Sequence, residues 1–515
     1  MNFPFLSVIT FTPAVASLLI LMMPGERKTE VRATALAAGI FATLLAVYVY
    51  LAYDQSLGGY QFVEKFAWVP QFGISYHVGV DGMSAPLVLL TAVVMLTGVL
   101  ISWGIDDRPR EFFAFLFVLA TGVFGVFVAL DLFGLFFFYE IAVFPMYLLI
   151  AIWGWQVTRE YAAMKLTLYL FIGSVFSLVG ALAMYYVSGL GTFDMLALEK
   201  ANFSVEFQRF WFPIVFFGFA VLGGIFPFHS WSPDGHVAAP TAVSMFHAGV
   251  LMKLGAFASL RVGIMLLPEG ARFHMPWIVL LTVVNVVYGS FIAMVQKDMK
   301  YMIGFSSVSH MGLVAMAFTT LNRVGYVGAG MQMFSHGVMT ALFFACVGMI
   351  YDRAHTRLMP ELGGMSKKMP FVAVAFIIGG FTSMGMPGLS GFAAELPIFL
   401  GVWNARAADV VREYPAWLQW VAAMAQTPWY FPTIAVVSAI AIVVTAAYVL
   451  RAVQRVFFGE ISHDHDHHVG DVTVLDKVAL AILCAFMIGI GVYPAVMATL
   501  VDTGVTPILK LLGVA

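Results

Sequence analysis

Long apolar runs, separated by short polar breaks, occupy almost the whole chain. About fourteen of them reach the roughly 20 residues that a helix needs to cross a bilayer. Their centres fall near residues 13, 43, 93, 120, 142, 175, 219, 252, 285, 310, 338, 386, 442 and 488. The longest polar stretches, near 54–83, 188–209, 403–431 and 459–473, are each too short to fold alone. The pattern predicts an all-α, polytopic membrane protein with one transmembrane domain over residues 1–515. The opening run, MNFPFLSVITF, has neither a basic start nor a small-residue cleavage site. It reads as a retained span rather than a signal peptide.

Two runs break their own helical pattern: GGIFPFHSWSPDG at 223–235 and MGMPGLSGF at 384–392. Proline removes a backbone donor and glycine weakens a helix. Broken backbone at membrane depth survives only inside protein or beside a watery cavity. Helices 7 and 12 are therefore expected to be discontinuous. Breaks five spans apart suggest two inverted five-helix repeats, about 112–266 and 276–452, with peripheral spans in 1–103 and 473–503. The competing reading is a pair of packing kinks.

Composition narrows the class further. Only 10% of the residues are charged and 61% are hydrophobic, whereas a soluble domain carries about 25% charge. A formal net charge of −2 offers no basic patch for nucleic acid. The two cysteines, Cys346 and Cys484, lie in apolar stretches. They cannot supply the four thiolates of an iron–sulfur cluster or a structural zinc site. No cofactor is expected in this chain. Basic residues concentrate in the loops after odd-numbered spans, among them Arg27, Lys28, Arg32, Arg108, Arg110, Arg159, Lys297, Lys300, Arg353, Arg357, Lys367 and Lys368. That bias puts the odd loops in the cytoplasm and both termini outside.

A few charges lie where the pattern leaves no room for them. Glu140 and Lys253 sit in mid-span, and Glu395 follows the second break. On insertion scales each costs about 2.5–3.5 kcal/mol at a helix centre, so such residues face the bundle interior and usually mark an ion or proton path. Low dielectric favours the neutral form of amines and carboxyls alike, and a nearby opposite charge reverses that preference. Moving the partner therefore loads or releases a proton. His229, His236 and His247 surround the first break and the next span, and His310 and His336 follow on later spans. With Ser306, Ser307, Ser309, Gln332, Ser335 and Thr340 they read as a hydrated relay. Static burial of a Glu140–Lys253 pair, and haem ligation by His310 and His336, are the competing uses. The loop SHDHDHH at 462–468 reads as solvated low-complexity sequence, with weak metal binding or surface buffering as the alternative.

The runs FHSWSPDGHVAAPTAVSMFHAGVLMKLGAF, QKDMKYMIGFSSVSHMGLV and MFSHGVMTALFFACVGMIYDRAHTR strongly resemble the antiporter-like membrane subunits of proton-pumping NADH:quinone oxidoreductase (complex I). The DRAHTR run resembles the chain M (chain 4) branch. The resemblance implies that Glu140, Lys253 and Glu395 are the carboxylate of the fifth span, the central lysine of the eighth and the exit-side carboxylate of the twelfth. His229, His236, His310 and His336 fall on the family's polar axis. It implies a translocase subunit of the bacterial inner (plasma) membrane, partnered by the lipid bilayer and by other membrane subunits, including further antiporter-like chains. Redox chemistry, with its FMN, iron–sulfur clusters and quinone, is implied for other subunits. A multisubunit cation/proton antiporter or a membrane-bound hydrogenase-type complex remains the alternative setting. One departure stands out: the family's second lysine, on the seventh span, is replaced by Leu222. His247, Lys165, or a direct approach of Glu140 to Lys253 are the expected substitutes.

Overall fold

The computed structural model describes residues 3–407, 409–460 and 470–514. The histidine-rich loop at 462–468 lies outside them. Among the described residues, thirteen helices are long and apolar enough to cross a membrane. The interrupted pair Pro370–Ser383 and Ser390–Asn404 makes one further crossing, in twelfth place. The expected count and the second break therefore both appear.

Span starts follow ordinary capping chemistry. The side chains of Asp131, Ser204 and Asn322 accept from the backbone N–H groups of Gly134, Phe207 and Gly325. Thr473 and Asp476 form a reciprocal capping box at the head of Val474–Val492. Each cap satisfies amides that a helix leaves without intrahelical partners.

Burial separates the spans into an inner and an outer set. Thr241–Ile264, Met299–Thr319 and Arg323–Ala354 are enclosed along nearly all their length, whereas Lys28–Ala52 and Val474–Val492 expose most of theirs. A helix apolar all round and wrapped in other helices is a core element. Here the enclosed spans carry His247, Lys253, His310 and His336, all buried.

The seventh span stops at Leu222 and restarts at Trp231–Ala238. Gly224 turns the chain at φ +70°. The loosened backbone finds partners nearby. The Trp231 indole N–H donates to the Val221 carbonyl at 2.9 Å. Asn285, on the ninth span, accepts from the Phe226 N–H and donates to the Val308 carbonyl at 2.7 Å. At the second break, Gly385 and Gly388 adopt φ +66° and +90°. The eighth span is helical throughout but winds as π over His247–Leu251 and Ser259–Ile264, on either side of Met252–Ala258. Such turns are rare and concentrate at functional sites.

One element was not legible as structure in the polar stretch 54–83. Gln61–Val69 and Ile74–Val80 pair as an antiparallel hairpin. Its Glu64 carboxylate accepts from the Leu6 N–H at 2.9 Å, near the head of the first span. Its Lys65 and His77 both reach Asp194, His77 at 3.2 Å. Just beyond it, Asp81 pairs with Arg261 of the eighth span.

Candidate functional site

The three enclosed spans and the twelfth bring four of the anticipated residues into one line. Lys253, fully buried, lies 2.7 Å from Nδ1 of His336 and also bonds the Ala248 carbonyl oxygen. The π turn before it lets that side chain fold back along its own helix. The His336 ring stacks on His310 at 5.3 Å between centroids, with 15° between planes. Nε2 of His310 stands 3.4 Å from Oε1 of Glu395. Lys253, His336, His310 and Glu395 thus form one contiguous series across the eighth, eleventh, tenth and twelfth spans.

Polar neighbours hold this series in place. His310 places Nδ1 2.8 Å from the Ser306 carbonyl and Nε2 3.1 Å from the Ser383 carbonyl, where the twelfth span breaks. Both ring nitrogens of His310 thus face backbone carbonyl oxygens. The Tyr448 hydroxyl donates to Ser306 at 2.7 Å, and Gln332 donates to Glu395 Oε1 at 3.3 Å. Nε2 of His336 and Oε2 of Glu395 are buried without a protein partner. With His310 committed to three oxygens and His336 to Lys253, the pair is not arranged as two ligands of one haem iron.

The other anticipated residues sit elsewhere. His236 and His247 pack against each other at 4.1 Å between ring centroids, beside Trp231. His229 stacks on Phe226 and meets Tyr288 edge-on, apart from the series. Glu140 is half-buried, Ser174 faces its carboxyl group, and its Oε1 has no hydrogen-bond partner. Among the described residues no cation pairs with it. Leu222 is completely buried, and Lys165 is committed to Asp234 at 2.7 Å. Neither of the proposed substitutes, Lys165 or His247, reaches Glu140.

Burial of the cations Arg261, Lys300 and Arg357 was not anticipated from the sequence. Arg261 pairs with Asp81, donates to the Tyr60 hydroxyl at 3.0 Å and lies over the Phe257 ring. Lys300 donates to the Ala239 carbonyl at 2.8 Å and to Ser244 at 3.4 Å. Lys300 and Arg357 stand at span ends, where they read as ordinary loop charges. The signal available for Arg261 was its position inside the apolar run LRVGIML.

Residues 129–411 match the family described as NADH:quinone oxidoreductase/Mrp antiporter, transmembrane. The chain belongs to this family. Among curated relatives, NAD(P)H-quinone oxidoreductase chain 4-2 of Synechocystis sp. is 38% identical over 460 residues, spanning 89% of this chain and 79% of the relative. Chain 4 of the same enzyme from Gloeobacter violaceus is 35% identical, over 96% of this chain and 90% of the relative. Among solved structures, a chain of respiratory complex I from Thermus thermophilus superposes with a TM-score of 0.85 at 25% identity, covering 99% of this chain and 100% of that one. The NADH:quinone oxidoreductase/Mrp antiporter fold thus extends over essentially the whole protein, beyond the matched segment itself.

Proposed function

We propose that this chain is a proton-translocating membrane-arm subunit of an NADH:quinone oxidoreductase-type complex. The observation that carries the reading is the unbroken series Lys253–His336–His310–Glu395. Four titratable groups in contact, enclosed by protein at membrane depth, are costly to bury. A transport role repays that cost.

In this reading a proton on Lys253 is handed to Nδ1 of His336. It passes between the stacked rings by rotation of one ring or through a bridging water, and His310 gives it to Glu395. Glu395 releases it on the side opposite the basic odd-numbered loops. Those loops face the cytoplasm, and the two breaks belong to inverted repeats. Flavin, iron–sulfur clusters and quinone belong to other subunits, whose change of shape or charge acts on the half of the chain that holds Glu140. The partners are the other membrane subunits of that complex, in a bacterial inner membrane.

The test is Lys253→Met in the assembled complex, in sealed inverted vesicles. Quinone reduction is expected to persist while proton uptake into the vesicles is lost. Full proton transport by that variant overturns the reading.

A further inference from the structure

Tyr448, on the thirteenth span Tyr430–Phe457, is fully buried and reaches the series through its hydroxyl. That hydroxyl lies 2.7 Å from Oγ of Ser306 and 3.3 Å from Oγ1 of Thr445. The Thr445 hydroxyl is already spent on the Ala441 carbonyl at 2.9 Å. Ser306 stands one turn before His310 on the tenth span. Its Oγ is 3.4 Å from Nδ1 of His310, and its carbonyl oxygen is 2.8 Å from the same nitrogen. One serine thus offers Nδ1 a carbonyl that only accepts and a hydroxyl that is able to donate. Among the described residues, no other group accepts from that hydroxyl.

A neutral imidazole carries one N–H and one bare nitrogen. Buried, the bare nitrogen needs a donor, and its desolvation is a cost if none reaches it. At Nε2 of His310 the neighbours are the Ser383 carbonyl at 3.1 Å and Oε1 of Glu395 at 3.4 Å. The carbonyl never donates, and Glu395 donates only while it holds the proton it must release. At Nδ1 the Ser306 hydroxyl is a donor in every state of the series. The Tyr448 O–H fills a lone pair on that oxygen, and a hydroxyl that accepts one hydrogen bond donates a stronger one. The charged or titratable groups facing His310 are His336, Glu395, Lys253 and, through Ser306, Tyr448.

We infer that Tyr448 is a positioning residue of the proton series: acting through Ser306, it holds neutral His310 in the receiving form, with Nδ1 bare and the N–H on Nε2 beside Glu395. A proton arriving from His336 forms an N–H bond at Nδ1, and the Ser306 carbonyl accepts it as the serine hydroxyl turns away. The Nε2–H bond breaks as an O–H bond forms on the Glu395 carboxylate. The ring is left with its proton on Nδ1. One water then gives a proton to Nε2 and takes the one on Nδ1, a reset that the Ser306 hydroxyl favours. Each cycle moves one proton and no electron. The inference rests on the proposed function and adds a span that itself carries none of the four groups in the series.

The experiment uses the assembled complex in sealed inverted vesicles and reads proton uptake per quinone reduced against bath pH. Tyr448→Phe removes one oxygen and keeps the ring. It is expected to lower the ratio at neutral pH by about threefold to tenfold, the worth of one hydrogen bond. With the neutral ring less favoured, more of His310 stays charged at a given pH, so the loss is greatest on the acid side. The profile therefore moves to higher pH, by about half a unit to one unit. Ser306→Ala is expected to move it the same way, and it reads the same outcome should Tyr448→Phe fail to assemble. Tyr448→Phe with Ser306→Ala should lower the ratio no further than Ser306→Ala alone, because the phenol acts through the serine. A merely structural Tyr448 would lower transport without moving the profile. An unmoved profile, unchanged transport, or additive losses in the double variant, with Lys253→Met inactive, overturn this inference alone. Full transport in Lys253→Met overturns the proposed function as well.

Discussion

Nζ of Lys253 and Nδ1 of His336, from residues 83 positions apart, lie 2.7 Å from one another with no solvent access. When the lysine is charged it must donate, so the neutral imidazole must present a bare Nδ1 and carry its proton on Nε2. Protonation of one ring thus depends on the state of the other group. His336→Phe keeps a flat ring against His310 but removes the acceptor. It is expected to lower proton transport about tenfold or more, with uncoupled quinone reduction intact. Measuring vesicle acidification and quinone reduction on one preparation checks it. A variant that transports normally would mean that the contact is only structural.

Close packing of glycines sets the same contact. A Cβ on Gly337 would lie 2.6 Å from the Gly249 carbonyl oxygen and from Leu90 Cδ2. Gly337→Ala therefore pushes the eleventh span off the eighth without altering any charge, an overpacking cost of about 1–3 kcal/mol. The expected result is an assembled complex with less proton transport per quinone. Thermal stability of the purified complex, measured beside transport, separates loss of coupling from loss of fold.

Arg261 and Asp81 form a buried ion pair. Removing one partner strands a charge, which typically costs about 3–5 kcal/mol, whereas replacing both with apolar residues is often neutral. Asp81→Leu alone should thus sharply reduce assembly. Asp81→Leu with Arg261→Met should recover most of it, as read by the amount of intact complex on a native gel.

Much of this architecture was legible in the chain, and the exceptions have physical causes. Apolar runs reveal spans because lipid tolerates little else, and the glycines and prolines at 223–235 and 384–392 exposed the breaks. Lys253, His310, His336 and Glu395 stood out by cost alone. Their order of contact did not, because it depends on how four helices far apart in sequence are rotated. The π turns at His247 and Ser259 leave no compositional trace, since they differ from α only in hydrogen-bond offset. The hairpin escaped because register shifts between Gln61 and Glu64 and between Ala67 and Val69 disturb the alternation that marks a strand. Asn285 gave no sign that it would serve two backbone segments at the first break.

The hairpin's grip should depend on pH. Burial alone would raise the carboxyl of Asp194, but hydrogen bonds from His77 and Lys65 outweigh it and hold the group well below its ordinary value of 3.8. A depressed folded value means that the carboxylate's contribution is complete above the ordinary value and is lost as pH falls through the folded one. Amides of residues 61–80 should therefore keep their exchange protection, corrected for intrinsic rate, from neutral pH down to that range and lose it below. Asp194→Asn should remove the acid step and lower protection at neutral pH. An acid step of the same size in Asp194→Asn would assign it to another group.

Leu222 has a consequence for how the two halves of the chain communicate. Its side chain can neither carry a proton nor hydrogen-bond a water, and it is packed where the first break meets the eighth span. Under the proposed function, an event at Glu140 then reaches Lys253 as an electric field or a displacement of helices, not as a proton passed through this position. In the proposed function, the Glu140 end is then the sensor, and the series from Lys253 to Glu395 is the conduit. A single leucine thus separates two tasks that a continuous row of charges would merge.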